Sequence, residues 1–130
     1  MDIRVREDDG DVILEFYAED GKSVEVSTRA FYTVIYLNRQ DPIEKTKELF
    51  IKVSKILGEE QPEISVRREE YPSGHILNPW VANSEGADDV WPLVFEVKSK
   101  GGVAWEFTLL VPVRLEGRRL REILLKVFRS

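Results

Sequence analysis

The chain has 130 residues, one third of them charged, with 24 acids against 19 bases for a formal net charge of −5, one histidine and no cysteine. That length suits one domain, residues 1–130, around a single core. The missing cysteines exclude disulfides, thiolate metal sites and cysteine nucleophiles, the single histidine excludes a site of several imidazoles, and the acidic total argues against a uniformly basic nucleic-acid binder.

No charged-then-apolar leader and no long apolar run occurs, which predicts a soluble cytoplasmic protein without a membrane role. Abundant charge with scarce Gln, Asn, Met and Cys is the balance of proteins that rely on ion-pair networks at high temperature, so a thermophilic source is expected. The charge is also polarised. Residues 1–25 carry nine acids and three bases, whereas residues 98–130 carry eight bases and three acids, so a basic region can exist within an acidic whole.

In chain order, Ile3 and Val5 alternate with Arg4 and Arg6, "DDGD" supplies an Asp-Gly hairpin signal, and Val12, Leu14 and Phe16 form a second period-2 run. A second Asp-Gly, Asp20-Gly21, leads to a third strand with Val24 and Val26, completing a meander. "STRAFYTVIYLN" has strand-like composition, but Ser27 as N-cap with Phe31, Ile35 and Asn38 at helical spacing favours a helix. The next helix is marked by Asp41 as cap, Pro42 at N1, Glu44 in a capping box, and the stripe Ile43, Phe50, Val53, Leu57 before Gly58. Its lysines are expected to face solvent.

"PEISVRREEY" returns to a strand, and about twenty residues without periodicity follow, including "YPSGHILNPW". "WPLVFEVKSKGGVAWEFTLLVPV" then reads as a hairpin with a Gly-Gly turn. From about Gly117, Leu120, Ile123, Leu124, Val127 and Phe128 predict a C-terminal helix. Strands grouped rather than alternating with helices give an α+β class: an antiparallel sheet with two or three helices packed on one face.

Catalytic signatures are weak. Asp88 and Asp89 before Glu96-Val97-Lys98 have the residue types of an acid…Glu-x-Lys metal nuclease, but only six residues separate Asp89 from Glu96, too few for two adjacent strands and a turn. His75 has no triad partner in a recognisable elbow, and Ser73 lacks one too. No glycine loop to cradle phosphate is present, so no metal, cofactor or enzymatic activity is expected.

The sheet face away from the helices is more informative. It brings Arg4, Arg6, Tyr17, Arg67, Tyr71, Val94, Lys98 and Leu110 together with Glu15, Glu69, Glu96 and Glu106, a face neither purely polar nor purely apolar. Aromatics interleaved with bases suit single-stranded nucleic acid, through ring stacking and phosphate contacts. The same mixture suits a subunit interface with cross-strand ion pairs. Trp91 and Trp105 fall on apolar strand faces, whereas Trp80 follows Pro79 in the long connection, either as a plug that anchors the loop or as a stacking surface. Arg68, His75, Trp80 and Lys100 complete the candidate binding set.

With "SVRREEYPSGHILNPW" and "VFEVKSKGGVAW" carrying these aromatics and bases, the chain resembles ThermoDBP and its related single-stranded DNA-binding proteins of thermophilic archaea. The resemblance is one of profile over the whole chain, without a diagnostic motif. It implies sequence-independent binding of single-stranded DNA or RNA, no enzymatic activity, and self-association into a homo-oligomer through helices. A structural or assembly subunit with protein partners is the alternative reading, and a metal-dependent nuclease the third.

Overall fold

The structure is a computed structural model that describes residues 1–83 and 90–112. The expected C-terminal helix, and Asp88 and Asp89 of the nuclease-like pattern, lie outside the described residues.

The first three strands are β1 (Asp2–Asp8), β2 (Asp11–Tyr17) and β3 (Ser23–Ser27), paired antiparallel in that order. The β1–β2 turn is as tight as its sequence implies: Asp8 pairs with Asp11, and Asp9 and Gly10 hold φ of 47° and 79°, the left-handed pair of a type I′ turn. β3 runs directly into α1 (Thr28–Leu37). There the Ser27 hydroxyl accepts the Ala30 N–H at 3.2 Å, and Asp11 accepts from the Ser27 hydroxyl and the Arg29 N–H. These acceptors satisfy donors that a helix start leaves free.

The second helix, α2 (Pro42–Ile56), has Asp41 as N-cap accepting from the Ile43 N–H at 3.0 Å. Its predicted stripe is buried: Ile43, Phe50, Val53 and Leu57 all belong to the core. Lys52 and Lys55 are exposed, while Lys45 and Lys47 are half-buried. Residues 28–57 therefore carry the chain out of the first sheet before any further strand forms.

The remaining strands are β4 (Glu63–Arg68), β5 (His75–Ile76), β6 (Val90–Lys98) and β7 (Ala104–Pro112), in the order β4-β6-β7-β5. The α+β class is that expected from the sequence, but the strands divide between two sheets, and the second is mixed because β5 runs parallel to β7. α2 joins the two through one side chain. The Phe50 ring lies 5.9 Å from Phe16 of the first sheet and 5.5 Å from Phe107 of the second, centroid to centroid. A single buried cluster unites residues of both sheets and both helices.

The long connection is more ordered than its lack of periodicity suggests. It holds β5 and a 3-10 turn, Pro79–Asn83, and closes one edge of the second sheet in three ways. His75 and Ile76 pair with Phe107 and Thr108, and the Leu77 N–H reaches the Thr108 carbonyl at 2.7 Å. Beyond that the buried Asn78 side chain takes over, its Oδ1 accepting the Leu110 N–H and its Nδ2 donating to the Leu110 carbonyl, both at 2.8 Å. One side-chain amide thus imitates the next peptide of a strand. Within "YPSGHILNPW", Leu77 and Asn78 are buried while Tyr71 and Ser73 to Ile76 are exposed, and the segment covers an edge which would otherwise template another chain.

Candidate nucleic-acid interface

Strand alternation places Arg4, Arg6, Glu15 and Tyr17 on the face of the first sheet opposite Leu14 and Phe16. Arg6 is surrounded by carboxylates: its Nε donates to Glu15 at 2.7 Å, one terminal nitrogen contacts Glu25, and the other lies 3.5 Å from Asp8. The Tyr17 hydroxyl donates to the other oxygen of Glu15 at 2.7 Å. That bond and the contact with Arg6 hold the Glu15 carboxyl below the usual carboxylate range. Arg4 stacks over the Tyr17 ring at 4.8 Å and lies 3.5 Å from Asp2.

A second network of the same kind lies on the outer face of the β4–β7 sheet. Arg67 donates to Glu69 at 2.5 Å and to Glu106 at 2.8 Å, and stands 3.9 Å from Glu96. Glu96 and Glu106 face each other across β6 and β7, a repulsive pair that the guanidinium bridges. Lys98 adds a contact to Glu96 at 3.2 Å. The Ser73 hydroxyl donates to the remaining Glu106 oxygen at 2.8 Å. Arg67 first and Ser73 second lower the Glu106 pKa.

The other candidates are scattered. Arg68 is adjacent to Arg67 but on the opposite strand face, where its guanidinium covers the Trp91 ring at 4.8 Å. Lys100, in the β6–β7 turn, pairs with Glu60 at 2.8 Å. Trp80 packs on the core, its ring centroid 6.2 Å from that of Tyr32, and also lines a cleft of about 360 Å³ with Glu7, Asp11 and Arg29. It is a half-buried plug. His75 is exposed, and Tyr71 is 88% exposed. The ten candidates therefore form two compact groups, Arg4-Arg6-Tyr17 and Arg67-Lys98, while Arg68, Tyr71, His75, Trp80 and Lys100 lie apart from both.

Sequence reasoning did not single out α1. Val34 and Leu37 on its outer side are 54% and 76% exposed, and Ala30 and Thr33, at helical spacing with them, are exposed too. α1 contains one charged residue, Arg29, whereas α2 contains six. The missed signal was the near absence of charge from "TRAFYTVIYL", which leaves no polar stripe to face water.

Among the described residues, no cluster of three or more His, Cys, Asp or Glu side chains is placed to hold a metal ion, and no helix is long and apolar enough to cross a membrane. No protein-family model, curated protein or solved structure matches the chain.

Proposed function

We propose that the protein is a non-enzymatic assembly module that associates with further copies of itself through the outer face of α1. One observation carries this reading: α1 presents Ala30, Thr33, Val34 and Leu37 to solvent with no charged residue among them. A helix apolar on both sides is normally covered on both sides. A symmetric contact between identical copies is the commonest way for a soluble chain to provide that cover. The electrostatics favour this over phosphate binding. Arg6 and Arg67 each meet three carboxylates, and Lys98 and Lys100 are also paired, so a phosphate would have to displace bonds already made.

Single-strand binding in the manner of the archaeal ThermoDBP-related proteins is the second reading, favoured by the 88% exposed ring of Tyr71, three residues past the end of the strand that carries Arg67. Fluorescence anisotropy with an unstructured oligonucleotide at low and high salt, on the wild type and on Leu37→Glu, separates the two. The assembly reading expects Leu37→Glu to yield folded monomers and expects little binding at either salt. Affinity that falls steeply with salt and survives Leu37→Glu supports the second reading instead.

A further inference from the structure

The uncharged strip on α1 is shaped like a wedge. Ala30, Thr33, Val34 and Leu37 follow one another at i, i+3, i+4 and i+7 along one helix face, with the smallest side chain near the helix start and the largest at its end. Thr33 is the one polar member, and its hydroxyl proton is already spent on the Arg29 carbonyl at 2.6 Å. The single charged residue of the helix is placed against its own dipole. Arg29 stands in the first turn, where the positive end of the helix disfavours a cation. Arg4, Arg6, Arg67 and Arg68 each have a carboxylate or a ring as partner, and Arg39 has a contact of its own; among the described residues nothing holds the Arg29 guanidinium in that way. The last turn of α1 contains no base, so the negative end of the dipole is left without a cation from the helix itself.

We infer, building on the self-association proposed above, that two copies pair their α1 helices antiparallel across a twofold axis, with Arg29 of each set against the C-terminal end of the partner's α1. Size complementarity favours this orientation. In an antiparallel pair centred between Thr33 and Val34, the partner's Leu37 fills the hollow beside Ala30, and symmetry repeats the contact at the other end. A parallel pair presses Leu37 on Leu37 and leaves Ala30 facing Ala30 across a gap, which close packing disfavours. Charge agrees with size. The same register sets Arg29 level with the partner's Asn38, the C-cap of α1, where a cation is stabilising. A base misplaced for its own helix is therefore well placed for the partner's, and the contact is self-complementary and closes at two copies.

Because the chain has no cysteine, single thiols report the pairing directly. Ala30→Cys and Leu37→Cys, both at exposed positions, are oxidised mildly alone and as an equal mixture of full-length proteins, and the products are resolved by intact mass spectrometry. The mixed disulfide between the two variants is expected to dominate, with little homodimer from either alone. Disulfide homodimers of each variant at the expense of the mixed one indicate a parallel pair; that overturns the inference and leaves self-association through α1 standing. An oligomer that forms no cross-link, or a single-chain mass for the unsubstituted protein in sedimentation, overturns both. Arg29→Glu tests the charge contact separately. It suits the dipole of its own helix, so the melting temperature of the dilute chain should not fall, whereas the dimer dissociation constant is expected to rise about fivefold as both helix ends lose a favourable charge. An unchanged dissociation constant overturns the inference alone.

Discussion

Single residues hold this structure at points where the backbone pattern gives out. Asn78 is the clearest, because its amide meets the Leu110 N–H and carbonyl together while fully buried. Asn78→Ala strands both groups at a cost of about 1–3 kcal/mol each. The melting temperature should fall by roughly 5–10 °C or more, measured by calorimetry, with the loss greater than for alanine at the exposed His75. Tyr32 illustrates another such point. Thr46 spends its one hydroxyl proton on the Pro42 carbonyl, so the buried Tyr32 hydroxyl must be the donor in its 2.8 Å bond to Thr46.

The two rings in the connection separate by the same reasoning. Trp80→Ala should lower the melting temperature, since its ring packs on Tyr32, whereas Tyr71→Ala should leave it unchanged. If bases stack on Tyr71, its loss instead weakens single-strand affinity by about tenfold, within the roughly 1–3 kcal/mol per stacked ring; anisotropy and melting on both variants check this. The Arg67 network adds a pH dependence with a definite sign. Glu106 and Glu15 have lowered pKa values in the folded protein, so their stabilisation is complete above the unfolded value of about 4.3 and is lost as pH falls through the folded values. Asp41, whose carboxyl is raised chiefly by burial, acts in the opposite direction. Arg67→Ala should therefore flatten the decline in stability below about pH 4.3, as followed by urea unfolding at a series of pH values.

Between elements, the decisive contact is α2 held by two sheets. Phe50 is 0% exposed and packs against both Phe16 and Phe107, one from each sheet, so Phe50→Ala should cost about 3–5 kcal/mol, more than a truncation confined to one sheet, such as Val24→Ala; chemical denaturation checks this. Much of this level was legible in the sequence. The Asp-Gly turn, the Ser27 and Asp41 caps and the Gly-Gly hairpin each act through local chemistry, and each lies where its residues imply. The division into two sheets was not legible, because alternation shows that a strand has a core face without showing which strands share a sheet. β5 and Asn78 were hidden for a related reason. A two-residue strand has no period, and an amide that completes an edge looks like any other loop asparagine until its partner is known. Among the candidate site residues, alternation correctly grouped Arg4, Arg6 and Tyr17 on one face. Arg67 and Arg68, neighbours on β4, point to opposite sides of that strand.

For the whole molecule, the arginines and glutamates of both outer faces form closed networks, while α1 leaves an uncharged strip in water. Exposed ion pairs of this kind contribute little each at ordinary temperature, and networks gain in value as temperature rises. Their chief consequence here is to leave little free positive charge on the faces once read as binding surfaces. Among the described residues, the strip on α1 is an exposed helix surface that carries no charge, which is why the proposed self-association is placed there. The most direct test is sedimentation equilibrium of the full-length protein beside a Val34→Glu/Leu37→Glu variant at micromolar concentration. The account predicts a wild-type mass at a multiple of the 15.1 kDa chain and a folded variant at the single-chain mass; a monomeric wild type, or an oligomer that the two glutamates leave intact, would contradict it.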